Sequence, residues 1–221
     1  MQCQKVMFNI FYLLAYISLS MASSFAEYEP NDNYSSLILG YQSSTFANKI
    51  CIGSDCHEGV GGPSLTFARQ VIPNLALGFS GAYLQSTGNS TSIQATNGSL
   101  FLQGIVGLGR QVDLGASVAA LSTNLQLCST TPDVCTSTRD TGSDLGVFGK
   151  VFLNDKKSLS VGLSYNTIRF QKTSNQSVIG LSFVAIVAQH HRFDLSLDRV
   201  RDADGNAVSG GSTFGYSFLV Y

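Results

Sequence analysis

Large apolar residues alternate with small or polar residues along most of the chain after Ser35, and no stretch follows the helical period of about 3.6 residues. In segment 75–85 one face is large and the other small, with Leu75, Leu77, Phe79 and Tyr83 against Ala76, Gly78, Ser80 and Ala82. Segments 159–166 and 213–220 repeat the pattern. Because successive side chains of a β-strand point to opposite faces, the pattern predicts strands whose two faces meet different surroundings.

Ten such segments are separated by residues typical of turns, and most are 9 to 13 residues long. They are 35–46, 63–71, 75–85, 99–108, 112–123, 144–154, 158–170, 177–188, 193–201 and 211–221. A tilted transmembrane strand needs about 9–11 residues. We therefore predict about ten strands, with eight as the alternative.

The connections between these segments alternate between short and long. The short ones are 72–74, 109–111, 155–157 and 189–192, and the longer, polar ones are 47–62, 86–98, 124–143, 171–176 and 202–210. Transmembrane barrels of the outer membrane have short periplasmic turns, long outer loops and an even number of strands. The layout predicts an all-β fold, an up-and-down antiparallel transmembrane β-barrel.

The composition of the two faces indicates which one points outward. A soluble sandwich or lipocalin-like barrel would place Lys and Glu on its watery face, whereas the small face here carries Gly, Ser, Ala and Asn. Charged residues make up only 12% of the chain, against about 25% in soluble proteins. A closed barrel also satisfies every backbone hydrogen bond within hydrocarbon. We predict that the apolar face contacts lipid, with the soluble secreted β-protein as the alternative.

The first residues have the features of an export signal. Lys5 precedes the apolar stretch 6–19, and Ser24-Phe25-Ala26 offers small residues for signal peptidase. The alternatives are a cut after Ser24 and a retained anchor helix, although the apolar stretch is shorter than the roughly 20 residues that a spanning helix needs. We predict a signal peptide at 1–26, a short periplasmic segment at 27–34 and a barrel domain at 35–221.

Four cysteines remain after Cys3 leaves with the signal peptide, namely Cys51, Cys56, Cys128 and Cys135. An even number in an exported chain predicts disulfides. Three pairings are formally open, and closure of the shortest loops costs the least entropy, which favours Cys51 with Cys56 and Cys128 with Cys135. The spacing does not suit zinc.

The last residues, Phe214-Gly215-Tyr216-Ser217-Phe218-Leu219-Val220-Tyr221, resemble the aromatic-ended final strand of small outer-membrane β-barrel proteins of Gram-negative bacteria. The chain departs from this family in two ways. Every second residue counted back from Tyr221 includes small residues, and the chain has no Trp. The resemblance implies location in the outer membrane, contact with its lipid and insertion by the barrel-assembly machinery. It does not imply one activity.

Two groups of residues have predicted roles in such a barrel. Five aromatic residues near the two rims are expected at the membrane interfaces: Tyr41, Tyr83, Tyr165, Phe193 and Phe218. Four charged residues face the interior by parity: Asp113, Lys150, Asp194 and Asp198. Their role is either an ion-pair network that holds the barrel together or a charged constriction that selects solutes.

Other chemistry has little support in the sequence. Asp55, His57 and Glu58 form the one candidate for general-base catalysis, and no common hydrolase or phosphate-loop motif is present. Segment 202–206 resembles part of a calcium loop without its final Glu. The net charge of −1 excludes a nucleic-acid footprint. We predict neither an enzyme, a cofactor nor a metal site.

The function expected from these features is a structural or surface role in the outer membrane. The same features are compatible with a narrow channel through the barrel. Disulfide-tied outer loops would be available to an extracellular ligand or a host surface. The alternatives are a small-solute porin or transporter and a hydrolase at the outer rim.

Overall fold

A computed structural model describes residues 35–72, 74–108, 111–130, 133–172, 175–187 and 191–218. The predicted signal peptide and periplasmic segment lie outside these residues. Ten strands are present: β1 (Ser35–Ile52), β2 (Asp55–Ile72), β3 (Leu75–Thr87), β4 (Thr91–Leu108), β5 (Val112–Thr130), β6 (Asp133–Phe152), β7 (Leu159–Phe170), β8 (Gln176–Val187), β9 (His191–Asp202) and β10 (Ala207–Phe218). The described residues include no helix that could cross a membrane.

The ten strands form a closed barrel. Each strand pairs antiparallel with its neighbours in sequence, and β1 pairs with β10 through partners such as Gly40 with Gly215 and Tyr41 with Phe214. This closure removes both edges of the sheet, so every strand has two hydrogen-bonded neighbours. The predicted up-and-down antiparallel barrel of ten strands is confirmed.

The strands extend further than the sequence analysis placed them. β1 continues to Ile52 and β2 begins at Asp55, so most of segment 47–62 is a hairpin rather than a loop. The same holds for segment 124–143, which β5 occupies up to Thr130 and β6 occupies from Asp133 onward. At the other end, β9 begins at His191 and includes two residues that were assigned to a turn. We call the end with the β1–β2 and β5–β6 hairpins the outer end, and the opposite end the inner end.

In the inner half of the barrel the apolar face points outward. Leu39, Leu100 and Leu163 are 62%, 65% and 62% exposed, while inward neighbours are small or polar, such as Ser80 and Ser196. Phe101 also points inward and covers Gly78, where an added Cβ would collide with its ring. The predicted assignment of the two faces therefore holds in this half.

In the outer half the arrangement of the two faces is reversed. Along β4, Ile93 and Ala95 point inward and are fully buried, whereas Thr96 is exposed. Along β5, Leu121 and Leu125 point inward and Asn124 points outward. These inward residues belong to one apolar cluster with Phe46, Ile50, Val60, Leu84, Ile168, Phe170, Val178 and Val200. We call this group the outer core.

Candidate functional site

Inward side chains fill the outer half of the barrel interior. Leu84, Ile93, Ile168 and Val200 in the outer core are 0% exposed, and the inward Gln42 is also 0% exposed. Water therefore has no access to these side chains from either end of the barrel. An interior packed in this way has the character of a protein core, not of an open pore.

All four charged residues predicted to face the interior do so. Asp113, Lys150, Asp194 and Asp198 are each buried. Asp113 and Lys150 are facing partners across β5 and β6, and the Lys150 ammonium lies 5.5 Å from the centre of the Phe152 ring. Between them these residues place charges of both signs inside the barrel: Asp113, Lys150 and Asp194 lie near its inner end, and Asp198 lies next to the outer core, two residues before Val200.

The closest interaction between interior charges involves a residue that the sequence analysis missed. Arg192 Nε and Nη2 donate hydrogen bonds to the carboxylate of Asp194 at 2.9 and 2.7 Å, and the two side chains are 1% and 5% exposed. Arg192 had been assigned to a turn. Its position two residues before Asp194, on the same face of a strand, was the pattern that could have identified it.

Two of the three candidate catalytic residues, Asp55 and His57, take part in a buried hydrogen-bond network at the outer end. His57 Nδ1 lies 2.8 Å from Ser86 Oγ, and His57 Nε2 lies 3.0 Å from Thr91 Oγ1. Asp55 Oδ2 accepts hydrogen bonds from the backbone N–H groups of Ser90 and Thr91 at 2.6 and 2.9 Å. The backbone hydrogen bond from Ser90 is the main cause that lowers the pKa of Asp55.

This network ties the β2 end of the first hairpin to the β3–β4 turn, and it does not present a general base. His57 is only 3% exposed, so a substrate has no direct approach to its ring. Glu58, the third candidate, points outward and pairs with Lys49 on β1, which lowers the pKa of Glu58. The three residues expected to act together are therefore divided between the two faces of β2.

Both outer hairpins carry a disulfide between facing residues. Cys51 is bonded to Cys56 across β1 and β2, and Cys128 is bonded to Cys135 across β5 and β6. Each bond joins residues near the tip of its hairpin. The described residues contain no group of three or more metal-ligating side chains.

The predicted interfacial aromatic residues lie on the outward face. Tyr41, Tyr83, Tyr165 and Phe193 are all exposed, while the side chain of Phe218 lies outside the described residues. At the inner end, the Phe193 ring centre is 5.4 Å from that of Tyr216. The Tyr216 hydroxyl is in turn 2.8 Å from His191 Nδ1. Tyr216 and His191 were not predicted to belong to this aromatic group.

Comparison with known proteins identifies the fold. No family model and no curated protein sequence matches the chain. Among solved structures, the translocator domain of autotransporter NalP from Neisseria meningitidis has a TM-score of 0.53 at 11% identity, covering 95% of this chain and 96% of its own. An outer membrane channel from Pseudomonas putida F1 has a TM-score of 0.49 at 10% identity, covering 89% of this chain and 99% of its own. At this level of identity, the likeness to the NalP domain shows a shared β-barrel fold, as the sequence predicts.

Proposed function

We propose that this chain is an outer-membrane β-barrel that anchors disulfide-linked hairpins at the outer surface, and that its interior does not conduct solutes. The observation that carries the proposal is the packed interior, where outer-core residues such as Leu84 and Ile93 are 0% exposed. A channel needs a continuous wet path, and a layer of buried aliphatic side chains interrupts it.

The outward face of the inner half supports location in a membrane. Large apolar side chains are exposed on strands all round the barrel, including Leu39, Leu100, Leu145, Leu163 and Phe214. Soluble proteins rarely expose contiguous apolar patches larger than a few hundred Å², because such patches associate in water. A belt that closes on itself around ten strands is stable when lipid covers it.

The reversed outer half supports an outer surface that stands beyond the bilayer. On β3, Tyr83 is followed on the outward face by Gln85 and Thr87. On β1, Tyr41 is followed on the same face by Ser43 and Thr45. Tyrosine at the edge of an apolar belt is typical of a membrane interface. The hairpins above these tyrosines are therefore accessible to an extracellular ligand or a host surface.

Biogenesis in this proposal uses the barrel-assembly machinery. β1 begins and β10 ends at the inner end, which supports an orientation with both ends of the barrel on the periplasmic side. The outward Phe214 and Tyr216 on β10 supply the aromatic face that the machinery would recognise.

Conductance in planar bilayers tests the packed interior. We expect purified, refolded protein to produce no discrete current steps. A variant that combines Leu84→Ser, Ile93→Ser and Leu125→Ser should conduct, because hydroxyls would then line the outer core and admit water. Current steps from the unaltered protein would overturn the proposal, and a gel comparing unheated and boiled samples establishes that each variant is folded.

Membrane location is tested separately by fractionation. We expect the protein in the membrane fraction, extracted only with detergent, and migrating differently on a gel before and after boiling. Recovery from the soluble periplasmic or culture fraction without detergent would favour the secreted β-protein.

A further inference from the structure

Cationic side chains on the outward face are concentrated on one side of the barrel at its outer end. They are Arg139 on β6, Arg169 on β7, Lys172 after β7, and Arg199 and Arg201 on β9, and all are exposed. We call these five residues the cation row. Outward positions at the same end of β3, β4 and β5 carry uncharged residues such as Gln85, Thr96 and Asn124.

The cation row lies above the apolar belt, directly on β9 and one outward position higher on β7, whereas Arg139 on β6 lies further out, beyond Ser143 and Thr141. On β9 the outward residues run Phe193, Leu195, Leu197, Arg199 and Arg201 from the inner to the outer end. On β7 the outward residues Leu163 and Tyr165 are followed by Thr167 and Arg169. The charges therefore begin where lipid contact would end, at the depth of the lipid headgroups.

The members of the row lie near one another. Arg201 faces Ser177 on β8, and Ser177 faces Thr167 on β7, next but one to Arg169. Two strand spacings are about 10 Å, so the side chains of Arg169 and Arg201 can reach toward one group between them. Lys172 Nζ donates a hydrogen bond to the backbone carbonyl of Arg139 at 2.9 Å, which places these two residues in contact.

No member of the row has a carboxylate partner in the described part of the chain. Asp202, next to Arg201 in sequence, accepts hydrogen bonds from the backbone of Asp204 and Asn206 within the β9–β10 turn. Asp140 and Asp198, next to Arg139 and Arg199, are buried. Lys49, on the other side of the barrel, is by contrast paired with Glu58. The row therefore presents cationic groups that no described carboxylate holds in an ion pair.

We propose that the cation row binds the phosphate groups of lipids in the outer leaflet, so that the barrel holds phosphorylated lipid on its β6–β9 side. Arg groups bind phosphate through paired N–H donors, and the aliphatic residues below the row would contact the acyl chains of the same lipid. This inference rests on the proposed membrane location. It commits to a lipid headgroup as the source of the phosphate, because the row is continuous with the lipid-facing belt.

The test uses tryptophan fluorescence, since the chain contains no Trp. Tyr165→Trp places a reporter below the row, and Tyr83→Trp places a matched reporter below uncharged residues. Tyr165 and Tyr83 are similarly exposed, at 48% and 43%. The protein is refolded into phosphatidylcholine vesicles that contain brominated phosphatidic acid or brominated phosphatidylcholine, and quenching gives the relative association of the two lipids.

We expect phosphatidic acid to be preferred at least about fivefold beside Tyr165→Trp, the effect of one cation near an anionic surface, and not beside Tyr83→Trp. Combining Arg169→Gln, Arg199→Gln and Arg201→Gln should abolish the preference, and the corresponding Lys substitutions should retain it. Equal quenching by both lipids at Tyr165→Trp, or a preference that survives the Gln substitutions, would overturn the inference.

Two further results distinguish a failure of the lipid assignment from a failure of the proposed membrane location. Inorganic phosphate at constant ionic strength and at a concentration equal to that of the phosphatidic acid should not remove the preference, because the lipid is also held at the row by its acyl chains. Loss of the preference under these conditions would assign the row to free phosphate, and the assignment to lipid would fail. If no brominated lipid quenches either reporter, the proposed membrane location itself fails. Quenching at both reporters without a preference for phosphatidic acid contradicts the phosphate inference alone.

Discussion

Breaking the ion pair inside the barrel should be among the most destabilising single changes. Asp194→Ala removes the carboxylate that accepts from Arg192 Nε and Nη2 at 2.9 and 2.7 Å, and leaves a guanidinium that is 1% exposed. Removing one partner of a buried ion pair costs about 3–5 kcal/mol. The ratio of folded to unfolded protein should therefore fall by about a hundredfold to several thousandfold.

Urea titration in lipid vesicles, followed by the shift on unboiled gels, measures this change. With a slope of about 2–3 kcal/mol per M, the midpoint should fall by about 1–2 M. The double variant Arg192→Leu/Asp194→Leu should recover much of the loss, because no buried charge is left alone. Glu58→Ala, which breaks the exposed pair with Lys49, is the control and should have a far smaller effect because solvent screens that pair.

A cost of less than about 1 kcal/mol for Asp194→Ala, the range of an exposed pair, would contradict a buried ion pair between Arg192 and Asp194. A double variant that is no more stable than Asp194→Ala would contradict it as well. Either result would mean that water reaches the guanidinium and replaces the carboxylate, which would contradict the packed interior as well.

Three other changes test separate parts of the structure. Leu84→Ala in the outer core should cost about 2–5 kcal/mol in urea titration, whereas Gln85→Ala, on the outward face of the same strand, should change the stability by less than about 0.5 kcal/mol. The folded-state pKa of Asp55 is lowered below its ordinary value of 3.8. Its stabilisation of the β3–β4 turn is therefore present above pH 3.8 and is lost as the pH falls through the lower folded-state pKa. Amide exchange of Ser90 and Thr91 should rise in that range, and Asp55→Asn should remove the pH dependence. The disulfide between Cys128 and Cys135 closes only a short loop, so reducing it should cost about 2–3 kcal/mol at most and leave the heat shift of the barrel on gels intact.

The barrel could be predicted from the sequence because the outward face of its inner half is apolar on every strand. Period-two alternation such as Leu77, Phe79 and Tyr83 identified the strands, and their even number with alternating connections predicted closure, which the pairing of β1 with β10 confirms. The inward positions of Asp113 and Asp198 followed from the same parity. Arg192 could not be found in this way, because it lies beside a short connection where strand and turn residues are mixed.

The outer hairpins escaped prediction for a physical reason that recurs on several strands. On β4 the apolar residues change parity, from the outward Leu102 and Leu100 to the inward Ala95 and Ile93, although the backbone pairing with β5 runs on without a bulge. Such a change resembles the end of a strand, and the predicted strand accordingly began at Ser99.

The same change of parity occurs on neighbouring strands at similar depth. On β7 the outward Leu163 and Tyr165 give way to the inward Ile168 and Phe170, and on β9 the outward Leu197 gives way to the inward Val200. The strand is continuous at each of these positions, so the surroundings must change instead. An apolar side chain faces out where the exterior is lipid and faces in where the exterior is water. A shift in the phase of alternation within one strand therefore marks the membrane boundary, and in this chain that boundary coincides with the tyrosines on β1, β3 and β7 and with the start of the cation row.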